Sequence, residues 1–92
     1  MFNMNGAWIC YYRVEARRDY TLSREERCEE VRRVKERMAA HGFTERYFRY
    51  WSDAPRSSKE AAKIEALAYA RRVRDATGLT PAEVVVTEGS LL

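Results

Sequence analysis

Fourteen of the 17 basic residues are arginine and three are lysine. Arginine presents a planar fork of donors that matches a phosphate or carboxylate and stacks on aromatic rings and bases. Two groupings of arginines therefore point to binding chemistry. The first comprises Arg32, Arg33 and Arg37 near the end of one helical pattern, and Arg71, Arg72 and Arg74 near the end of another. If the two helices run side by side in one direction, these six form a positive patch. Such a patch suits a phosphate backbone or an acidic protein surface. Complementarity to the negative helix ends accounts for them equally well. The second grouping interleaves arginines with aromatics on two strand patterns: Tyr11, Arg13, Tyr47, Arg49 and Trp51, or Phe48 and Tyr50 if the register turns those outward. On an open sheet this set makes a stacking platform for single-stranded nucleic acid. In a closed core it is ordinary cross-strand aromatic packing. A GC-rich genome also favours arginine codons, so composition competes with selection as their source.

Catalytic signatures are absent. The four glycines are scattered singly, so neither phosphate-cradling glycine loop occurs, and there is no G-x-S-x-G elbow. His41 sits at the end of a helical pattern, where an imidazole caps carbonyls. Zinc needs four clustered ligands, and the one histidine lies far from any C-x-x-C. Glu15 and Glu45 flank the strands with nothing fixing an acid–base geometry. A pocket around Tyr20, His41 and Glu45 is the only enzymatic arrangement the residues suggest. The expectation is a non-enzymatic protein with no cofactor and no metal.

The elements that position these residues read in the order β-α-β-α-β. Residues 7–16, AWICYYRVEA, alternate, with Trp8, Cys10, Tyr12, Val14 and Ala16 on one side and Ile9, Tyr11, Arg13 and Glu15 on the other. Ser23 and Glu26 have capping-box spacing and open a helix whose stripe is Cys28, Val31, Val34 and Met38. His41-Gly42-Phe43 ends it, with Gly42 left-handed and Phe43 folding back on Met38. A second strand covers residues 44–51, TERYFRYW. A second capping box, Ser57 with Glu60, opens a helix through Ala62, Ala66, Tyr69, Ala70 and Val73 that stops near Gly78 and Pro81. Residues 83–88, EVVVTE, form a third strand, and 89–92 a tail.

These 92 residues, with net charge +3 and pI about 9.1, amount to one α+β domain with an ordered core over about residues 7–88. A three-stranded sheet with both helices on one face is the economical arrangement. A strand followed by a helix usually returns parallel to its neighbour, although antiparallel or mixed pairing is open. No run approaches the about 20 apolar residues of a membrane span, and the apolar start lacks a basic region and cleavage site. Cys10 and Cys28 read as small buried apolar residues in a reducing cytoplasm, with a disulfide as the alternative.

The chain resembles small phage-encoded inhibitors of bacterial defence, including anti-CRISPR proteins. It shares their short stand-alone length, small sheet with two helices, rim of charges and lack of catalytic signatures. The resemblance implies occlusion: binding an effector complex and blocking its nucleic-acid site. Many such inhibitors are acidic and imitate DNA. A mildly basic one must instead contact guide RNA or acidic protein surface. The partners expected are therefore a nucleic acid or ribonucleoprotein, or a protein, with a homodimer paired through the sheet as the alternative. The run Val84-Val85-Val86 is the natural edge for that pairing.

Overall fold

The computed structural model describes residues 9–17 and 21–91; Ala7, Trp8, Tyr20 and Leu92 lie outside them. The elements are β1 (Ile9–Ala16), α1 (Arg24–Ala40), β2 (Arg46–Trp51), α2 (Arg56–Thr77) and β3 (Val84–Leu91). The strands form one sheet in the order β2-β1-β3. Both pairings of the central strand are antiparallel, with Tyr12 opposite Phe48 and Glu88, and Val14 opposite Arg46 and Val86. The usual parallel return is therefore not taken. A 17-residue helix is long enough to bring the chain back in either direction.

Alternation along β1 sends Tyr12, Val14 and Ala16 into the core with Phe48 of β2 and Val84 of β3. α2 packs across all three strands, while α1 touches β1 and α2. From the helices come Val34, Met38, Ala62, Ala66, Tyr69, Ala70 and Val73, so both helices cover the same sheet face. Small alanines on α2 let its backbone approach the sheet closely. Each fully buried valine contributes about 1.5–3 kcal/mol of transfer free energy.

The helix ends follow local chemistry. Ser23 Oγ accepts from Glu26 N, and Glu26 Oε1 accepts from Ser23 N, completing the capping box of α1. At its other end Phe43 N donates to Met38 O and Gly42 N to Ala39 O, with Gly42 at φ +82°. This is the Schellman pattern, and it seats Phe43 against the core. Tyr69 then ties α2 to this turn. Its hydroxyl donates to Thr44 O at 2.7 Å and accepts from Thr44 N at 3.2 Å.

The cysteines and three element boundaries differ from the sequence expectation. Cys28 is exposed, because the first turns of α1 run past the core and only Val34 and Met38 are buried; Cys10 is half-buried, and both thiols are free. α2 begins at Arg56 behind Pro55 with no side-chain cap, which places Ser57 inside its first turn. β2 starts two residues later than residue 44. Residues 89–91 belong to β3, because Gly89, Ser90 and Leu91 complete the ladder opposite Tyr11, Cys10 and Ile9. No helix among the described residues is long and apolar enough to cross a membrane.

Tyr69→Phe removes both hydrogen bonds to Thr44 while keeping the ring in place. Urea unfolding should show a loss of about 1–2 kcal/mol, with the slope against urea unchanged.

Candidate functional site

The helices leave the other sheet face uncovered. By register that face carries Ile9, Tyr11, Arg13 and Glu15 from β1, Tyr47, Arg49 and Trp51 from β2, and Val85, Thr87, Gly89 and Leu91 from β3. The two sequence alternatives are thereby decided. Tyr11, Arg13, Tyr47, Arg49 and Trp51 share the open face. Phe48 is buried, and Tyr50 lies on the helix side, where its hydroxyl donates to Glu88 Oε1 at 3.0 Å. Burial and the Glu88 carboxylate push the Tyr50 pKa up, and that hydrogen bond, with Lys59 nearby, holds Glu88 below the usual carboxylate range.

Tyr11 and Tyr47 meet edge to face, with ring centroids 4.9 Å apart and planes at 73°. Gly89 is what admits Tyr11: a Cβ there would stand 2.5 Å from the Tyr11 hydroxyl oxygen. The ring thus lies over the bare backbone of β3. Both arginines approach Tyr47, Arg13 at 5.2 Å and Arg49 at 5.5 Å from the ring centroid. Trp51, beside them on β2, is 56% exposed.

The arginines differ in how much charge they leave free. Arg13 Nη2 donates to Glu45 Oε1 at 3.3 Å, and its Nε lies 3.0 Å from Glu15 Oε2 without hydrogen-bond alignment. Burial works against the Arg13 charge, but these carboxylates outweigh it and raise its pKa. Glu45, just before the start of β2, accepts from Ala16 N through Oε2 at 2.8 Å at the end of β1, and Lys35 of α1 reaches its Oε1 at 3.3 Å. Partial burial opposes the Glu45 charge, yet the Ala16 N–H, Lys35 and Arg13 hold its pKa below the usual range. The cleft beside this network is about 640 Å³, lined also by Arg17, Val31 and Thr87. Its charges compensate one another, so it anchors Arg13 in place. Arg49 has no carboxylate partner among the described residues.

The helix arginines are less available than their sequence grouping suggests. Arg32 is paired with Glu29 and Glu36 on its own helix. Arg37 Nε donates to Thr77 O at 2.8 Å, so the helices do meet at their C-terminal ends, with Arg37 satisfying a terminal carbonyl of α2. Arg74 Nε donates to Ala70 O at 3.0 Å, and Arg72 lies over the Tyr69 ring. Arg33 and Arg71 are exposed and make no ion pair among the described residues. Arg71, Arg72 and Arg74 line a shallow cleft with Leu67, Asp75 and Leu79. The structure thus brings Arg37 to the α2 cluster, while Arg32 is neutralised along α1.

Two functional contributors were not visible as such in the sequence. Glu45 gave no signal of its backbone-capping role. Gly89 did give one, as an isolated glycine after a β-branched run. Of the polar pocket considered around Tyr20, His41 and Glu45, the structure describes His41 and Glu45. Glu45 is committed to Ala16, Arg13 and Lys35, His41 Nδ1 lies 3.0 Å from Arg37 O, and Tyr20 is outside the described residues. No group of three or more metal-ligating side chains occurs among the described residues. Comparison with protein-family models, with curated proteins and with solved structures gives no significant match.

Folding lowers the Glu45 pKa, so its contribution is complete above the unfolded carboxylate value of about 4.3. It is lost as pH falls through the lower folded value. Glu45→Gln should cost about 1 kcal/mol at neutral pH, where solvent screening limits the effect. The difference from wild type should shrink below pH 4, read by urea unfolding at each pH.

Proposed function

We propose that this chain is a non-enzymatic binding module that engages single-stranded nucleic acid, bare or within a nucleoprotein complex, on its open sheet face. The observation that carries this reading is the shared placement of Tyr11, Tyr47, Arg13, Arg49 and exposed Trp51 on the face no helix covers. Trp51 offers a ring to a base, and Arg49, which has no carboxylate partner among the described residues, offers its guanidinium to a phosphate. Tyr47 is already flanked by two guanidinium groups, so it positions charge rather than acting as a bare platform. Arg33, Arg71 and Arg72, which make no ion pair among the described residues, extend the basic surface at the helix ends; Arg32 is paired along α1, and Arg37 and Arg74 each commit Nε to a helix carbonyl. In the form suggested by the resemblance to phage-encoded inhibitors of CRISPR effectors, the module occludes the nucleic-acid site of its target from within the host cytoplasm.

A second reading is a protein partner on the same face. The apolar corner formed by Ile9, Trp51 and Leu91 favours it, with Trp51 and Leu91 both more than half exposed. Trp, Tyr and Arg are also the residues that dominate protein interfaces.

Fluorescence anisotropy with labelled oligothymidylate and oligouridylate across a salt series separates the two readings. The nucleic-acid reading expects Trp51→Ala to weaken binding roughly tenfold or more. Arg49→Glu should reduce the slope of log affinity on log salt by about 0.7 or more. Arg32→Glu should have little effect, because Arg32 is already paired. Absence of binding at low salt would overturn this reading and leave the protein-partner one.

A further inference from the structure

The outer edge of β3 is open. Among the described residues β3 pairs only with β1. Arg17 N donates to Glu83 O at 2.9 Å, in register with the ladder. Antiparallel pairs alternate, so Val85, Thr87 and Gly89 turn their backbone groups to β1, while Val86, Glu88 and Ser90 turn theirs outward. The outward N–H of Val84 is already bound by Thr80 O at 3.0 Å.

This edge is also unguarded. The other edge strand, β2, is six residues long and carries Arg46 and Arg49. β3 is eight residues, VVVTEGSL, with no lysine, arginine or proline. Soluble proteins block exposed edges with such residues, or else pair them.

The sequence of β3 is complementary to itself about Thr87. In a two-fold antiparallel pair centred there, Val86 opposes Glu88 of the second copy, Val84 opposes Ser90, and Val85 opposes Gly89. This register keeps each sheet face continuous. It matches the outward groups of Val86 and Glu88 and gives the Ser90 N–H the Val84 carbonyl. The bare Gly89 position, overlain by Tyr11, receives Val85 of the second copy. Sliding one way sets Glu88 against Glu88, a like-charge pair. Sliding the other way leaves Ser90 beyond the strand and opposes Glu88 to Val84, whose N–H is taken.

We infer that the chain forms a two-fold dimer by antiparallel pairing of β3 with β3 of a second copy, giving one six-stranded sheet. Both aromatic–arginine faces then lie on the same side of that sheet, with the helices on the other. The inference is independent of what the open face binds.

Sedimentation equilibrium tests the assembly and cysteine cross-linking tests the register. Wild type should show twice the 10.8 kDa chain mass. Thr87 faces its own copy at a non-hydrogen-bonded pair, where Cα separations suit a disulfide. In a background with Cys10→Ser and Cys28→Ser, which removes the native thiol opposite Ser90, Thr87→Cys should cross-link under mild oxidation, and Ser90→Cys, which faces Val84 of the second copy, should not. Thr87→Lys should weaken the dimer about tenfold, equivalent to about 1.4 kcal/mol. A monomer at the highest soluble concentration overturns the inference. So does a dimer that Thr87→Cys fails to cross-link.

Discussion

A one-residue slip of β1 against its neighbours would carry Tyr12, Val14 and Ala16 to solvent and drive Arg13 and Glu15 into the core. Among the described residues β1 is the only strand with two partners, so its alternation assigns a face to every residue of β2 and β3 as well. The core face is then closed by two helices, and among the described residues no further element covers the other. The open aromatic and arginine face is a consequence of that arithmetic. The same register that buries Phe48 and Val84 exposes Tyr47, Arg49 and Trp51.

On the open face, the two arginines differ in how far carboxylates hold them. Arg13 is held by Glu15 and Glu45, and Glu45 is held in turn by the Ala16 N–H and by Lys35 on α1. This network ties α1, the end of β1 and the start of β2 into one corner. It also fixes Arg13 against Tyr47, and leaves Arg49, beside Trp51, as the arginine of this face without a carboxylate partner among the described residues. A partially desolvated, compensated network of this kind contributes more to geometry than to net attraction. The helix ends follow the same economy. Arg37 and Arg74 are spent on α-helical carbonyls rather than on a shared positive patch.

Much of this was legible in the sequence because the relevant forces are local. Alternation in residues 9–16 and the Ser23–Glu26 box depend on neighbours within one element. So does the Gly42-Phe43 stop, and all three appear in the structure where expected. Tertiary pairing decided the rest. Gly89 and Ser90 are weak strand formers by themselves, and only the partners Tyr11 and Cys10 draw them into β3. Cys28 keeps the helical step of Val31 and Val34 but lies beyond the reach of the core. Antiparallel pairing across α1 has no local signature. The aromatics of β2 occupy both faces, so their pattern alone left the exposed set undecided until the register with β1 chose Tyr47 and Trp51. For the arginines, the pairing of Arg32 with Glu29 and Glu36 follows from helical spacing, whereas the reach of Arg37 to Thr77 spans two helices.

The central claim is that the uncovered sheet face, rather than the helix ends, is where a partner docks. The most direct measurement is an amide and indole NMR titration of the isotope-labelled protein with a short single-stranded oligonucleotide. The account predicts shifts at Tyr11, Arg13, Tyr47 and Arg49 and at the Trp51 indole N–H, with Arg33 and Arg71 moving less. Shifts confined to the C-terminal turns of α1 and α2, with the Trp51 indole unmoved, would contradict it.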